Sequence, residues 1–288
     1  MSTSKNKSGR GPDFYCIGAQ KAGTTWLHEN LRRHPGVWMP PVKELQYFNQ
    51  IHIPEHANWT QEHRDSHVAR SIRWHVTNND ELNLRHLRLL TRITKPRVSD
   101  AWYKSIFTAA PAQSLCGEMT PEYSLMPDQG IQHLLSISPD ARVLFVMRDP
   151  IDRCWSHLRM LIKRNQDHAG DMSQIVKMND VYDRADYVAI KQRWQAHVPA
   201  DRLMFCDFDD IKKQPVELLK QIIGFLGLEA DSSFFPKAEQ VVHEGRKMDI
   251  PADVYDYMKN RLAPVYDRLL DHMPDVARPW HARHYISA

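Results

Sequence analysis

The sequence predicts an α/β fold: a single phosphate-loop-type domain with a central, mainly parallel sheet, flanked by helices and carrying a helical insert. Three observations predict it. Four short apolar runs, at 14–17, 114–117, 142–147 and 203–208, do not alternate, as expected of strands covered on both faces. Segments with an apolar stripe of helical period separate most of them. A glycine-bounded turn stands between the first run and the first such segment. Strand and helix in alternation give parallel pairs joined by right-handed crossovers.

Along the chain, residues 1–12 are polar and are expected as a disordered leader, with the domain running from 13 to 288. A helix is expected at 24–33 and a further short strand at 37–39. Residues 50–113 are rich in His, Arg and Trp and hold no strong strand signal, so they read as the helical insert, with 81–93 helical and the acceptor side of a site as its assignment. Trp59, Trp74 and Trp102 read as core residues, with contact to an acceptor as the alternative. Further helices are expected at 129–136, at 150–164 with Pro150 placed to start it, at 182–197, and at 210–226. In the last, Val216, Leu218, Leu219, Ile222, Ile223 and Leu226 form a wide apolar face. The tail, 251–273, has a stripe from Val254 to Leu269 and reads as one more helix.

Composition narrows the function. With 288 residues, 42% of them hydrophobic, the chain can bury a full core without disulfide staples. A formal net charge of +3 suits an anionic ligand and is too small to argue for nucleic acid. The four cysteines form no C-x-x-C pair, so buried free thiols and a reducing cytoplasm are the expectation. The apolar runs, such as 143–147, are far too short to span a bilayer.

Residues 18–26 read Gly-Ala-Gln-Lys-Ala-Gly-Thr-Thr-Trp. A triphosphate-binding loop reads G-x-x-x-x-G-K-[ST]. Gly18 and Gly23 keep that spacing and Thr25 fills the hydroxyl slot, but Thr24 stands where the lysine belongs and the lysine sits at Lys21. Backbone amides of such a turn cradle anionic oxygens, and the helix start adds its positive end. The loop therefore keeps its means of holding a phosphate and loses the usual means of reaching a γ-phosphate. A nucleotide carrying a phosphate-like group for transfer fits better than ATP. The bland alternative is a tight turn with an exposed lysine.

Three more segments carry candidate chemistry. In Val143-Leu-Phe-Val-Met-Arg-Asp-Pro150, a strand ends at Arg148, at the sheet edge where open α/β folds bind ligands, and Ser156 follows on the second turn of the next helix. The pair can clamp a second phosphate; equally, Arg148 can pair with Asp149 or Asp152 at the surface. Lys43-Glu44 lies in a proline-led loop, where the carboxylate reads as a general base or as a solvated ion pair. Gly245-Arg246-Lys247 is a short basic turn able to fold over an anion, or an ordinary surface turn.

Taken together, these segments resemble the sulfotransferases that use 3′-phosphoadenosine 5′-phosphosulfate. Lys21-Ala-Gly-Thr-Thr-Trp26 is similar to the family's 5′-phosphosulfate loop, and Val146-Met-Arg148 through Ser156-His157 to its 3′-phosphate motif. Gly245-Arg246-Lys247 resembles its nucleotide-covering loop. Lys43-Glu44-Leu-Gln-Tyr-Phe48 resembles the Lys-Glu-x-x-Phe-Phe segment of the branch that sulfates heparan chains. Residues 203–210 and 215–228, with Phe225-Leu-Gly-Leu228, resemble a further strand and helix end. The likeness covers most of 14–49 and 114–250. It departs at Met119, where the heparan branch has a lysine, and at Glu244, where a lysine often precedes the Gly-Arg pair.

The resemblance implies in-line sulfuryl transfer from that donor to a hydroxyl or amine of a small-molecule or carbohydrate acceptor, leaving adenosine 3′,5′-bisphosphate and needing no metal. Lys21 and Lys43 would neutralise charge on the transferring and leaving oxygens. Ala22, Gly23, Thr24 and Thr25 would hold the 5′-phosphate. Trp26 would stack on adenine or pack in the core. Arg148, Ser156, Arg246 and its neighbours Gly245 and Lys247 would hold the 3′-phosphate, and Glu44 would be the general base. His157 is a second base candidate, ranked below Glu44 because it follows Ser156 on the nucleotide side. His52, His56, His63 and His67 have helical spacing but no matching Cys or carboxylate set, so no metal is expected. The rival readings are a nucleotide kinase or NTPase on the same loop, and a non-catalytic nucleotide-binding protein.

Overall fold

A computed structural model describes residues 9–79, 81–164, 172–240 and 248–286. The chain runs β1 (Phe14–Cys16), α1 (Thr24–Leu31), β2 (Val37–Trp38), α2 (Tyr47–His52), α3 (Ala57–Asn78), α4 (Leu84–Ile93), α5 (Asp100–Phe107) and β3 (Leu115–Met119). It continues through α6 (Asp128–Ile137), β4 (Arg142–Met147), α7 (Pro150–Arg164), α8 (Met172–Ile175), α9 (Asn179–Asp183), α10 (Tyr187–Gln195) and β5 (Leu203–Asp207). Then follow α11 (Asp209–Lys213), α12 (Pro215–Phe225), α13 (Ala252–His272) and α14 (Pro274–Tyr285). The strands form one sheet in the order β2-β3-β1-β4-β5, every pair parallel. Phe14, Tyr15, Cys16, Val143, Leu144 and Phe145 are fully buried, which is why these strands read as unbroken apolar runs.

This order places the site. From β1 the chain leaves toward β2 on one side, and from the neighbouring β4 it leaves toward β5 on the other. The two departing loops open a crevice at the carboxyl edge of the sheet, between β1 and β4, where such folds take their ligands.

The expected strands and the helices at 24–33, 129–136, 150–164 and 251–273 are present with small shifts of boundary. Two expected helices are each broken. The segment 182–197 divides into α9 and α10, because the Asp186 side chain accepts the Ala189 amide and starts a new helix. The segment 210–226 divides because Pro215, at the start of α12, has no amide to continue α11. The insert is helical as expected, but α2, α3 and α5 gave little periodic signal. The inward face of α3 explains it: Thr60, Arg64, Val68 and His75 are its buried residues, and only one is apolar. Arg64 is fully buried, donates to Leu45 O (3.1 Å) and lies over the Trp102 ring. Trp102 is in the core as expected and Trp59 is half-buried, but Trp74 is 65% exposed.

The tail of the chain braces β4. Asp149, fully buried just past the strand, accepts hydrogen bonds from Tyr266 OH of α13 (2.6 Å) and the Ile151 amide (3.0 Å), and His284 Nε2 of α14 lies 3.0 Å away. The four cysteines are buried free thiols. Among the described residues no helix is long and apolar enough to cross a membrane.

Gly117 is where β3 passes closest to its neighbours. A methyl group there would meet Phe14 Cζ at 2.1 Å and Met39 Sδ at 2.5 Å. Gly117→Ala is expected to lose about 1–3 kcal/mol by overpacking, read as a lower urea midpoint at unchanged slope.

Candidate functional site

The phosphate loop is tied to both sides of the crevice. Ala19 N donates to Val146 O (2.8 Å) and Val146 N to Gly18 O (2.8 Å), so the loop leaves β1 stitched to β4. Gly23 then takes a left-handed conformation (φ 78°) as the cap of α1, a backbone state that glycine adopts without steric cost. Lys21 is also left-handed (φ 71°) and half-buried. The first turn of α1 presents amides with no intrahelical acceptor, beside the hydroxyls of Thr24 and Thr25.

The lysine missing from the loop is supplied from elsewhere. Lys43 Nζ donates to Thr24 Oγ1 (3.2 Å) and Thr25 Oγ1 (3.5 Å), so an ammonium from the segment after β2 stands at the hydroxyl pair of the loop. The same ammonium donates to Glu44 Oε1 at 2.7 Å. Gln46 Nε2 donates to Glu44 Oε2 at 3.3 Å, and His63 Nε2 of α3 lies 3.4 Å from that oxygen. His63 stacks on His67, ring centroids 4.3 Å apart. The Glu44 side chain is 22% exposed. Burial pushes its carboxyl up, but the Lys43 ammonium first, then His63 and the Lys43 hydrogen bond, outweigh that and hold it at about 2. Glu44 is therefore a carboxylate at neutral pH. Burial, with His63 beside it, lowers His67 to about 4, so that ring is neutral.

Sequence reasoning missed what holds Glu44 in place. Glu44 (φ 66°) and Gln46 (φ 55°) are both left-handed, a conformation that costs a non-glycine residue energy and persists only under restraint. The restraints come from three directions. Glu44 N donates to Met119 O (3.0 Å), Tyr47 N donates to Tyr123 OH (3.1 Å), and Arg64 holds Leu45 O. Beneath them lies the buried Glu118 carboxyl of β3. It accepts from the hydroxyls of Tyr103, Tyr123 (2.8 Å) and Thr120 (2.8 Å) and from the Leu45 amide. Burial pushes Glu118 up to about 7 against these bonds.

Arg148 leaves the end of β4 as expected. Its Nη1 donates to Lys21 O (3.0 Å), its guanidinium lies 4.6 Å over the Phe208 ring, and its Nε is buried with no hydrogen-bond partner. It faces the phosphate loop and makes no surface pair with Asp149 or Asp152. Ser156 is half-buried on the second turn of α7. Trp26 is 4% exposed and its Nε1 donates to Ala238 O (2.8 Å), so its ring packs in the core. Ala22 is fully buried. His157 is buried on α7, with Nε2 4.0 Å from Asp180. Gly245, Arg246 and Lys247 lie outside the described residues. Of the four spaced histidines, His52 pairs with His133 (2.9 Å) and His56 with Asn49 (3.1 Å), while His63 and His67 face Glu44. No metal-ligating cluster occurs among the described residues.

Comparison with known proteins gives the family and the fold. The model of the sulfotransferase family matches residues 12–232. The membrane-associated sulfotransferase kil1 of Dictyostelium discoideum is 26% identical over 158 residues, 54% of this chain and 25% of that protein, so the chain spans about a quarter of that relative's length. Among solved structures, a sulfotransferase from Alicyclobacillus acidocaldarius shares the fold with a TM-score of 0.64 at 21% identity, over 93% of this chain and 98% of that one. Mouse sulfotransferase SULT7A1, complexed with PAP, shares it with a TM-score of 0.52 at 14% identity, over 98% and 92%.

The Glu118 geometry sets a pH signature. Its folded value lies above the ~4.3 of an unfolded glutamate, so its contribution to stability is full below that value and is lost as pH rises toward 7. Wild type is expected to lose thermal stability relative to Glu118→Gln between pH 5 and pH 8. Parallel melting curves for the two proteins across that range would remove Glu118 as the titrating group.

Proposed function

We propose that this chain, a member of the sulfotransferase family, moves a sulfuryl group from 3′-phosphoadenosine 5′-phosphosulfate to a hydroxyl or amine, with Glu44 as general base. The observation that carries the reading is the meeting of the Lys43 ammonium with the Thr24–Thr25 hydroxyls on one side and the Glu44 carboxylate on the other.

The residues divide the work as follows. The amides of residues 23–25 and the two threonine hydroxyls hold the 5′-phosphate end of the donor, while the Ala22 amide is taken by Ala19 O (3.2 Å). Lys43 and Lys21 set positive charge against the oxygens that gain charge as the group moves. Transfer of this kind depends on positioning and electrostatics, and preorganised cations in a water-poor crevice supply both. Glu44 takes the proton of the acceptor as its oxygen or nitrogen bonds to sulfur. The bond from sulfur to the phosphate oxygen breaks, and adenosine 3′,5′-bisphosphate leaves. A carboxylate held near 2 is a weak base, which suits removing a proton already acidified by bond formation to sulfur.

Arg148 fits the donor's second phosphate. Its buried Nε has no partner, and the Lys21 carbonyl satisfies only one of its other donors. Guanidinium groups in this state take anions well. Ser156, half-buried on the second turn of α7, is its partner in this reading, and ATP, lacking a 3′-phosphate, would leave this end unfilled. The helical insert forms the acceptor wall, since α3 brings His63 and His67 against Glu44.

Calorimetric titration is expected to show binding of adenosine 3′,5′-bisphosphate at least tenfold tighter than ATP–Mg²⁺. A preference for ATP would overturn the donor assignment. Glu44→Gln is expected to lower kcat by roughly 10²–10⁴-fold, the usual contribution of a general base, with affinity for the bisphosphate within about twofold of wild type. Undiminished turnover in that variant would move the base elsewhere.

A further inference from the structure

The tip of the helical insert carries an apolar surface that the proposed chemistry does not use. Trp74 (65% exposed), Val76 (56%), Leu82 (58%) and Leu84 (59%) are four of the eight large hydrophobic side chains exposed among the described residues, and they fall within eleven positions. Single exposed hydrophobics are ordinary on protein surfaces, whereas a cluster marks a contact site.

The cluster is built on a fixed frame. The Asn83 amide donates to His75 Nε2 (3.1 Å), Asn79 Nδ2 donates to His75 O (2.8 Å), and the rings of His75 and His86 lie 5.0 Å apart. These contacts join the end of α3 to the start of α4 around the buried His75. Trp74 and Val76 flank His75 in sequence, and Leu82 and Leu84 flank Asn83, so all four adjoin one pinned point.

Charge identifies the occupant. Residues 66–99 contain seven arginines and lysines against two carboxylates, Asp80 and Glu81. Arg70, Arg73, Arg85 and Arg88 are exposed. At 1.5 Å per helical residue they lie within about 6 Å of Trp74 or Leu84 along their helices. An apolar tip with exposed guanidinium groups within that distance along its two helices matches the boundary between acyl chains and anionic headgroups. A tryptophan at the tip suits the same boundary, with its apolar ring and polar N–H.

We propose that the α3–α4 tip docks the protein reversibly on an anionic lipid surface, with Trp74, Leu82 and Leu84 entering the interface and Arg70, Arg73, Arg85 and Arg88 meeting the headgroups. The docking is peripheral and independent of the sulfuryl-transfer reading.

Vesicle co-sedimentation tests it, using phosphatidylcholine alone and phosphatidylcholine with one third phosphatidylserine, at 0.1 M and 0.5 M salt. Wild type is expected to bind the anionic vesicles at least tenfold better than the neutral ones, and to release at high salt. Trp74→Ser/Leu82→Ser/Leu84→Ser and Arg70→Gln/Arg73→Gln/Arg85→Gln/Arg88→Gln are each expected to lose at least tenfold of that binding while keeping wild-type affinity for adenosine 3′,5′-bisphosphate. A variant that fails to fold leaves the wild-type readout decisive: Trp74 is the only exposed tryptophan of the eight, so brominated acyl chains are expected to quench wild-type fluorescence on anionic vesicles. Absent binding, absent quenching, or undiminished binding by the serine variant overturns the proposal. So does a wild-type dimer in sedimentation velocity that the serine variant abolishes without any vesicle binding, which assigns the tip to a second copy of the chain.

Discussion

The site depends on one ammonium held by three oxygens. Lys43 Nζ bonds the hydroxyls of Thr24 and Thr25 and the carboxylate of Glu44. Without it, the turn after β1 would be a phosphate loop lacking its lysine, and Glu44 would be a carboxylate beside a stretch of amides. With it, cation and carboxylate from adjacent positions meet at the hydroxyls of the loop. That geometry requires the segment from Lys43 to Gln46 to bend through two left-handed residues. Much of the architecture nearby serves to hold that bend: the end of β3, the hydroxyl cluster around Glu118, and the buried Arg64 of α3.

Buried carboxylates surround the crevice, and each is bound inward. Glu118 is enclosed by tyrosine and threonine hydroxyls. Glu122 accepts from Gln20 of the phosphate loop (2.9 Å) and from Arg184 (2.5 Å), and Arg184 also reaches Asp180. Asp149 is held by Tyr266 and His284. Each acid fixes a wall of the site while its charge is met by donors behind the wall. Cations dominate toward the crevice, which is the electrostatic condition for an anionic ligand in a chain whose net charge is only +3.

The sheet was legible because its strands are short, apolar and covered on both faces, and the phosphate loop because its glycines fall at fixed spacing after a strand. Arg148 was legible for the same reason, since a strand's end in this fold is a place in space. Other features were not. Helix α3 hides its inward face by placing Arg64 and His75 on it, so the period that betrays a buried helix is blurred. His63 and His67 lie four positions apart, a spacing visible in the sequence, but nothing there points them at Glu44 across a break in the chain. Glu118 follows directly on the expected strand at 114–117, with no local sign of its role. Its importance rests on Tyr103, fifteen positions earlier, and on the backbone of Leu45, far away in sequence. Pairings that close through the fold leave no local period to read.

The burial of Trp26 has a consequence for selectivity. Its indole is engaged with Ala238 in the interior, and it is the one aromatic residue between positions 18 and 26. The loop thus offers an incoming nucleotide amides, hydroxyls and an ammonium, and no ring face. With the donor proposed above, the loop would meet oxygen atoms and leave the base unread, so discrimination between purine and pyrimidine would fall to another part of the protein.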